Sequence, residues 1–233
     1  MRIATWNVNS VKQRIPRLLP WLDERQPDVV CLQELKVTDE AFAEMLGDDL
    51  AERGYEFATA GQPQWNGVAI LSKVGLDDVV VNFAGDIEPD PDARIITATC
   101  GGVRVSCCYV PNGRALDDDH YAYKLSWLDR LREHIAAERG PDDDVIVTGD
   151  FNIAPSDVDV YDPRKFVGAT HVSQPERDRL AALYEWGLVD LFRRQHPDAD
   201  RVYSWWDYRA GDFHQGRGMR IDLVLGTAPV AER

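Results

Sequence analysis

Apolar positions along this chain follow two rhythms. Residues 3–8 (IATWNV) form a strand-like run, and behind it Ile15, Leu18, Leu19 and Leu22 recur at i, i+3, i+4 and i+7, the apolar face of a helix. Pro16 suits the first turn of that helix, whereas Pro20 falls inside the pattern. After Asp28, VVCLQE reads as a second buried strand ending on Glu34, and residues 38–53 read as a helix with Thr38 as N-cap and acidic residues in its first turn. Short strand candidates follow at 55–60, 67–72, 79–83, 95–100 and 103–110, with Gly101 and Gly102 as a tight turn. The second half predicts a helix at 121–139, a strand at 145–148 and a helix at 177–186. An aromatic and polar loop at 203–219 and a strand at 221–225 close the chain. The pattern implies one α/β domain of two mainly antiparallel sheets with helices outside.

The strands end alike. The first reaches Asn7 and then Asn9, the second Glu34, another Tyr109, and the last carries Asp222 just after Ile221. The segment VIVTGDFNIAP stops a β-branched run on Asp150 and Asn152. One such terminus is an ordinary turn, since Asp and Asn bond to nearby backbone. Five suggest a shared edge, where ligands gather in α/β sheets. Strand alternation would turn Asp150 and Asn152 to the same side. The donors are hard oxygens without clustered thiolate or imidazole, which favours Mg²⁺ or Mn²⁺ over zinc.

Composition narrows the setting. The 233 residues include 44% hydrophobic positions, enough for a sizeable core, but no run of about 18 apolar residues that would make a membrane helix. Cys31, Cys100, Cys107 and Cys108 lie in apolar runs without paired metal spacing, as expected of small buried residues in a reducing cytoplasm. The start, RIATWNV, lacks the features of an export signal. A net charge of -14 weighs against a phosphate-rich partner, although an acidic cluster that holds a cation lowers net charge where an anion binds. The acidic runs 117–119 and 142–144 read as solvated turns, and His120, His134, His171, His196 and His214 as surface residues without metal spacing.

The segments RIATWNVNS, PDVVCLQELK, CCYVPN, VIVTGDFNIAP and SWWDYRAGDFHQGRGMRIDLVL, in this order over nearly the whole chain, resemble the exonuclease III family of abasic-site DNA-repair nucleases. That family lies within the endonuclease/exonuclease/phosphatase superfamily. GDFN is shared superfamily-wide; LQELK with the WWDYR to RID pattern is more specific. The resemblance implies a DNase I-like four-layer α/β sandwich, with two mainly antiparallel sheets packed face to face. It also implies a Mg²⁺-dependent (or Mn²⁺-dependent) phosphodiesterase that cuts double-stranded DNA 5′ to abasic sites and works on 3′ ends as exonuclease and phosphatase. A cytoplasmic monomer with no membrane partner is expected. Residue by residue, it implies Glu34 as metal ligand with Asn9 near the metal shell, and Asp150 deprotonating water with Asn7 holding it. Asn152 and Tyr109 would bind the scissile phosphate, and Asp222 would complete the site. Lys36, Asn112 and Arg114 would serve metal shell or DNA backbone. Trp205, Met219 and Ile221 would line a pocket for a base-less sugar, with Arg209, Arg217 and Arg220 adding local positive charge. Core packing is the rival role for Ile221 and Trp206.

Family members end in an SDHxP-like segment whose Asp and His complete the site and whose strand lies beside the first. This chain ends in GTAPVAER, so a missing final strand and an unpaired edge at residues 3–6 are expected. A phosphatase of a small or lipid phosphate, and a DNA-binding module without turnover, remain the alternatives. A secreted DNase I-like role fits less well.

Overall fold

The computed structural model describes residues 1–209 and 211–233, which divide into two compact units. The first comprises residues 1–109 and 144–150. It holds β1 (Ile3–Asn7), α1 (Val11–Arg25), β2 (Val29–Gln33), α2 (Asp39–Glu52), β3 (Glu56–Ala60) and β4 (Val68–Ser72). It also holds β5 (Asp77–Val81), β6 (Ile95–Cys100), β7 (Val103–Tyr109) and β8 (Val145–Asp150). One sheet has the order β1-β2-β4-β3, parallel only between β1 and β2; in the other, β5, β6 and β7 run antiparallel and β8 lies parallel to β7. The two sheets pack face to face, β1 over β8, β2 over β7 and β4 over β6. Gln33 is buried between them without penalty, because its amide donates to Thr5 Oγ1 (3.0 Å), Cys31 O (3.1 Å) and Cys107 Sγ (3.3 Å). β1 lies at a sheet edge, as expected.

Leu18 and Leu22 of α1 and Phe42, Leu46 and Leu50 of α2 cover Val30, Leu32, Ala69 and Leu71 of the first sheet. Each such side chain contributes roughly 1.5–3 kcal/mol by leaving water. The helix α1 starts earlier than a first-turn Pro16 would place it, and both prolines lie inside. They sit one turn apart on the exposed face, where a missing amide bond is least costly because the opposed carbonyls face water. Thr38 caps α2 as expected, accepting a bond from the Ala41 amide. Gly101 and Gly102, both at positive φ, close the β6–β7 turn.

The second unit, residues 110–143 and 151–233, holds α3 (Asp119–Glu138), α4 (Gln174–Trp186), β9 (Leu188–Asp190), α5 (Leu191–Gln195), β10 (Trp205–Trp206), β11 (Gly218–Met219), β12 (Asp222–Thr227) and α6 (Ala228–Ala231). The strand β12 pairs antiparallel with β9, and β10 with β11, so the expected loop at 203–219 carries two short strands at its ends. Asp118 caps α3 rather than forming only a solvated turn. Helix α4 starts three residues before the expected Arg177, because Ser173 and Glu176 form a capping box around Pro175. Among the described residues no helix is long and apolar enough to cross a membrane.

Candidate active site

In the first unit the ends of β1, β2 and β8 bring together the expected polar residues. The Asn7 amide donates to Glu34 Oε1 (2.7 Å) and to Asp150 Oδ2 (2.9 Å), bridging two carboxylates. Its carbonyl oxygen accepts from the Asn9 amide (3.0 Å). Lys36 Nζ lies 2.8 Å from Glu34 Oε2 and donates to Asn9 Oδ1 (2.5 Å). Tyr109 sits opposite Asp150 in the β7–β8 register. Burial, and then the carboxylates of Glu34 and Asp150, push the Tyr109 phenol well above its ordinary value, so it stays protonated and able to donate. The Arg94 guanidinium stacks 5.0 Å from the Tyr109 ring centroid while bonding Asp92 (3.1 Å).

These side chains stand on strained backbone. Asn9, Ser10, Glu34 and Lys36 have φ of 44°, 87°, 57° and 59°, each a left-handed conformation that costs a non-glycine residue on the order of 1–3 kcal/mol. Main-chain bonds hold it: Val8 to Gln33 O (2.9 Å), Ser10 to Glu34 O (2.8 Å), Val11 to Leu35 O (3.1 Å) and Lys36 to Asn66 O (3.0 Å). Strain of this kind persists where the surroundings fix it and concentrates at functional sites.

The second unit carries another group of expected residues. Asn152, only 4% exposed, donates through Nδ2 to Val110 O (2.9 Å) and accepts from Asn112 Nδ2 through Oδ1 (3.2 Å). Asn152 has φ of 52°, so strand alternation does not continue from Asp150 to it; the left-handed turn sets its direction instead. Arg114, also at positive φ, is exposed, with Asp118 4.0 Å away. The Asp222 and Ile221 amides donate to Ser204 Oγ (3.0 and 3.1 Å). Trp205 is 37% exposed and pairs across the short ladder with Met219. Met219 and Ile221 are buried with Ala154 and Val160, so packing is part of what both residues do.

Three expectations change. Arg220 supplies no free charge: buried, it bonds Asp159 (2.7 Å) and Asp190 (2.8 Å). Arg217 pairs with Asp212, and Arg209, 92% exposed at its side chain, lies 3.8 Å from Asp207 Oδ1, so it is the one solvent-facing cation of the three. Nor are all the histidines on the surface, because His134 is fully buried and His171 Nδ1 bonds Asn152 O (2.5 Å). Burial, with Lys124 nearby, lowers His171 to about 4. Lys124 and Thr170, outside the expected site, bind the Asn112 and Asn152 carbonyls, and Glu176 holds them both. A signal existed: Lys124 lies on the helical stripe of Trp127, Leu128, Leu131 and Ile135.

Among the described residues no three His, Cys, Asp or Glu side chains cluster as a cage. The Glu34 carboxylate nonetheless fits a hard cation: it is an oxygen donor, and the Lys36 ammonium already lies against it.

Two sheets of mixed pairing flanked by helices, with strand-end carboxylates joined by an amide, define a DNase I-like hydrolase, and residues 4–233 match the Endonuclease/Exonuclease/phosphatase family. The chain belongs to that family. Exodeoxyribonuclease III of Haemophilus influenzae is 33% identical over 244 residues, covering 100% of this chain and 90% of the relative. An AP endonuclease from Archaeoglobus fulgidus has the same fold at TM-score 0.94 and 37% identity, with 100% of this chain and 89% of that one covered. NExo, a 3′ phosphatase from Neisseria solved with a product DNA hairpin, matches at TM-score 0.93 and 38% identity, with 100% and 88% covered.

Proposed function

We propose that this protein is a Mg²⁺-dependent DNA-repair phosphodiesterase that incises duplex DNA 5′ to abasic sites and acts on 3′ ends as a 3′ to 5′ exonuclease and 3′-phosphatase. The observation that carries the reading is the Asn7 amide bridging Glu34 and Asp150. Asp150 takes the proton of the attacking water while the new P–O bond forms and the bond to the 3′ oxygen breaks. Asn7 fixes the Asp150 carboxylate for that step. A phosphodiester anion resists attack, so charge building on its oxygens must meet fixed donors; Tyr109, kept protonated, and Asn152 are those donors. Glu34, with Asn9 and Lys36 beside it, would hold Mg²⁺, or Mn²⁺ in its place, which when bound neutralises phosphate charge and favours a hydroxide. Asp222 completes the catalytic set, and Asn112 and Arg114 contact DNA backbone. Trp205, Met219 and Ile221 admit a base-less sugar by shape. The protein works as a cytoplasmic monomer, a setting that suits its four buried free thiols.

The test is nicking of a duplex with one synthetic abasic site, in Mg²⁺ and in EDTA. Metal-dependent incision on the 5′ side supports the reading. Hydrolysis of a small phosphate monoester without any action on the duplex contradicts it.

A further inference from the structure

Lys124 is a fully buried cation whose task is not obvious from stability. Its partner Glu176 is equally buried, and such a pair is weak evidence for stabilisation because desolvation consumes most of the attraction. The ammonium also reaches two main-chain carbonyls from different loops, Asn152 O at 2.7 Å and Asn112 O at 3.2 Å. These loops carry the two amides that meet side chain to side chain. Thr170 Oγ1 lies 3.0 Å from Asn112 O and 2.7 Å from Glu176 Oε1. The His171 and Ser173 amides donate to Glu176 at 2.9 and 3.0 Å, which anchors the carboxylate itself.

The Asn112 loop is shaped to this cation. Gly113, at φ +87°, has room for no side chain, since a Cβ there would lie 2.8 Å from Thr170 Oγ1 and 3.0 Å from Lys124 Cδ. Apolar residues could fill the same volume, but none could bind both carbonyls.

We propose that Lys124, held by Glu176 and Thr170, is a positioning residue that sets the phosphate-facing amides of Asn152 and Asn112. This rests on the reading that Asn152 binds the scissile phosphate and Asn112 the adjacent DNA backbone. The ammonium touches no substrate; it acts through the main chain of the residues that do.

The test compares Lys124→Met with the double variant Lys124→Met/Glu176→Gln, reading melting temperature, single-turnover incision rate on abasic duplex in Mg²⁺, and the side-chain amide NMR signals of Asn112 and Asn152. Removing the negative charge that Lys124→Met leaves without its ammonium is expected, in the double variant, to restore most of the lost melting temperature. The incision rate stays roughly 10- to 100-fold low, the scale of a misplaced group, and both amide signals remain shifted. Recovery of rate and amide signals together with melting temperature overturns the proposal and leaves the pair a structural one. Should the Lys124 variants not fold, Thr170→Val gives the same decision: shifted amide signals with a several-fold slower rate support positioning, and unchanged signals and rate refute it. Asn152→Ala, run in parallel, separates the two layers. If it keeps wild-type activity, the phosphate reading fails, while the amide shifts still decide whether Lys124 sets those side chains.

Discussion

Gly149 lies one residue before Asp150, paired with Cys108 across the β7–β8 ladder, and Gly149→Ala puts the geometry of the carboxylate to a direct test. A Cβ at this position would stand 1.9 Å from Cys108 O and 2.8 Å from Cys108 C, all backbone, with φ at +146°. Ordinary contact begins at 3.4 Å, so the strand end must move by roughly 1.5 Å. That movement breaks the ladder around the Cys108 and Tyr109 pairings, about two hydrogen bonds at ~1 kcal/mol each, and the strained φ adds about 1–3 kcal/mol. A total near 3–5 kcal/mol corresponds to a melting temperature about 10 °C lower for a chain of this size. Asp150 is displaced from the 2.9 Å bond with Asn7, and a misplacement of this order costs about 10²-fold in rate. Thermal melting by circular dichroism and single-turnover incision of an abasic duplex measure both effects. A melting temperature within about 2 °C of the parent, with a rate within about threefold, would refute the reasoning.

Other expectations are narrower. Asn7→Ala deletes bonds to two carboxylates, each worth about 1.5–3 kcal/mol as a charge-assisted bond, so kcat/KM should fall at least ~10²-fold; a drop smaller than about fivefold contradicts the bridge. Arg220→Met leaves the buried Asp190 carboxylate without its guanidinium and Asp159 with Arg193 as its remaining guanidinium, and should cost about 3–5 kcal/mol, read by urea denaturation; a cost below about 1 kcal/mol would contradict it. His171 is lowered to about 4 by burial and Lys124, so between about 4 and its ordinary 6.5 the unfolded chain binds a proton that the folded chain does not. Stability from this group is therefore present above pH 6.5 and lost as pH falls toward 4, on the order of 2–3 kcal/mol. His171→Gln should flatten that part of the stability curve, and an unchanged slope would count against the assignment.

Much of the architecture was legible because it is written in local periodicity. The buried strands read as apolar runs, and the strand-end set Asn7, Glu34, Tyr109 and Asp150 was visible as polar residues interrupting them. What local pattern hides is pairing across sequence. Arg220 looks like part of a basic patch until Asp159 and Asp190 close on it, and nothing within a few residues of it announces partners 61 and 30 positions away. Lys124 meets Glu176 across 52 positions, yet its place on an apolar helical stripe was a local clue to burial. The start of α4 was also local: Ser173, Pro175 and Glu176 spell a capping box that outweighs the weak apolar rhythm of that turn. The interior prolines of α1 show the converse, a local rule overruled by exposure and by the packing of Leu18 and Leu22.

In the proposed mechanism Asp150 is the base of a metal-dependent incision. Asp150→Asn keeps the shape of the side chain and a carbonyl for the Asn7 amide, but it cannot take a proton from water. Parent and variant should be compared on a duplex with one abasic site, in Mg²⁺ and in EDTA, with melting temperature as a control. The expected result is 5′ incision by the parent in Mg²⁺ alone and a loss of ~10³-fold or more in a folded variant. A folded Asp150→Asn protein that cuts within tenfold of the parent, or a parent indifferent to EDTA, would contradict it.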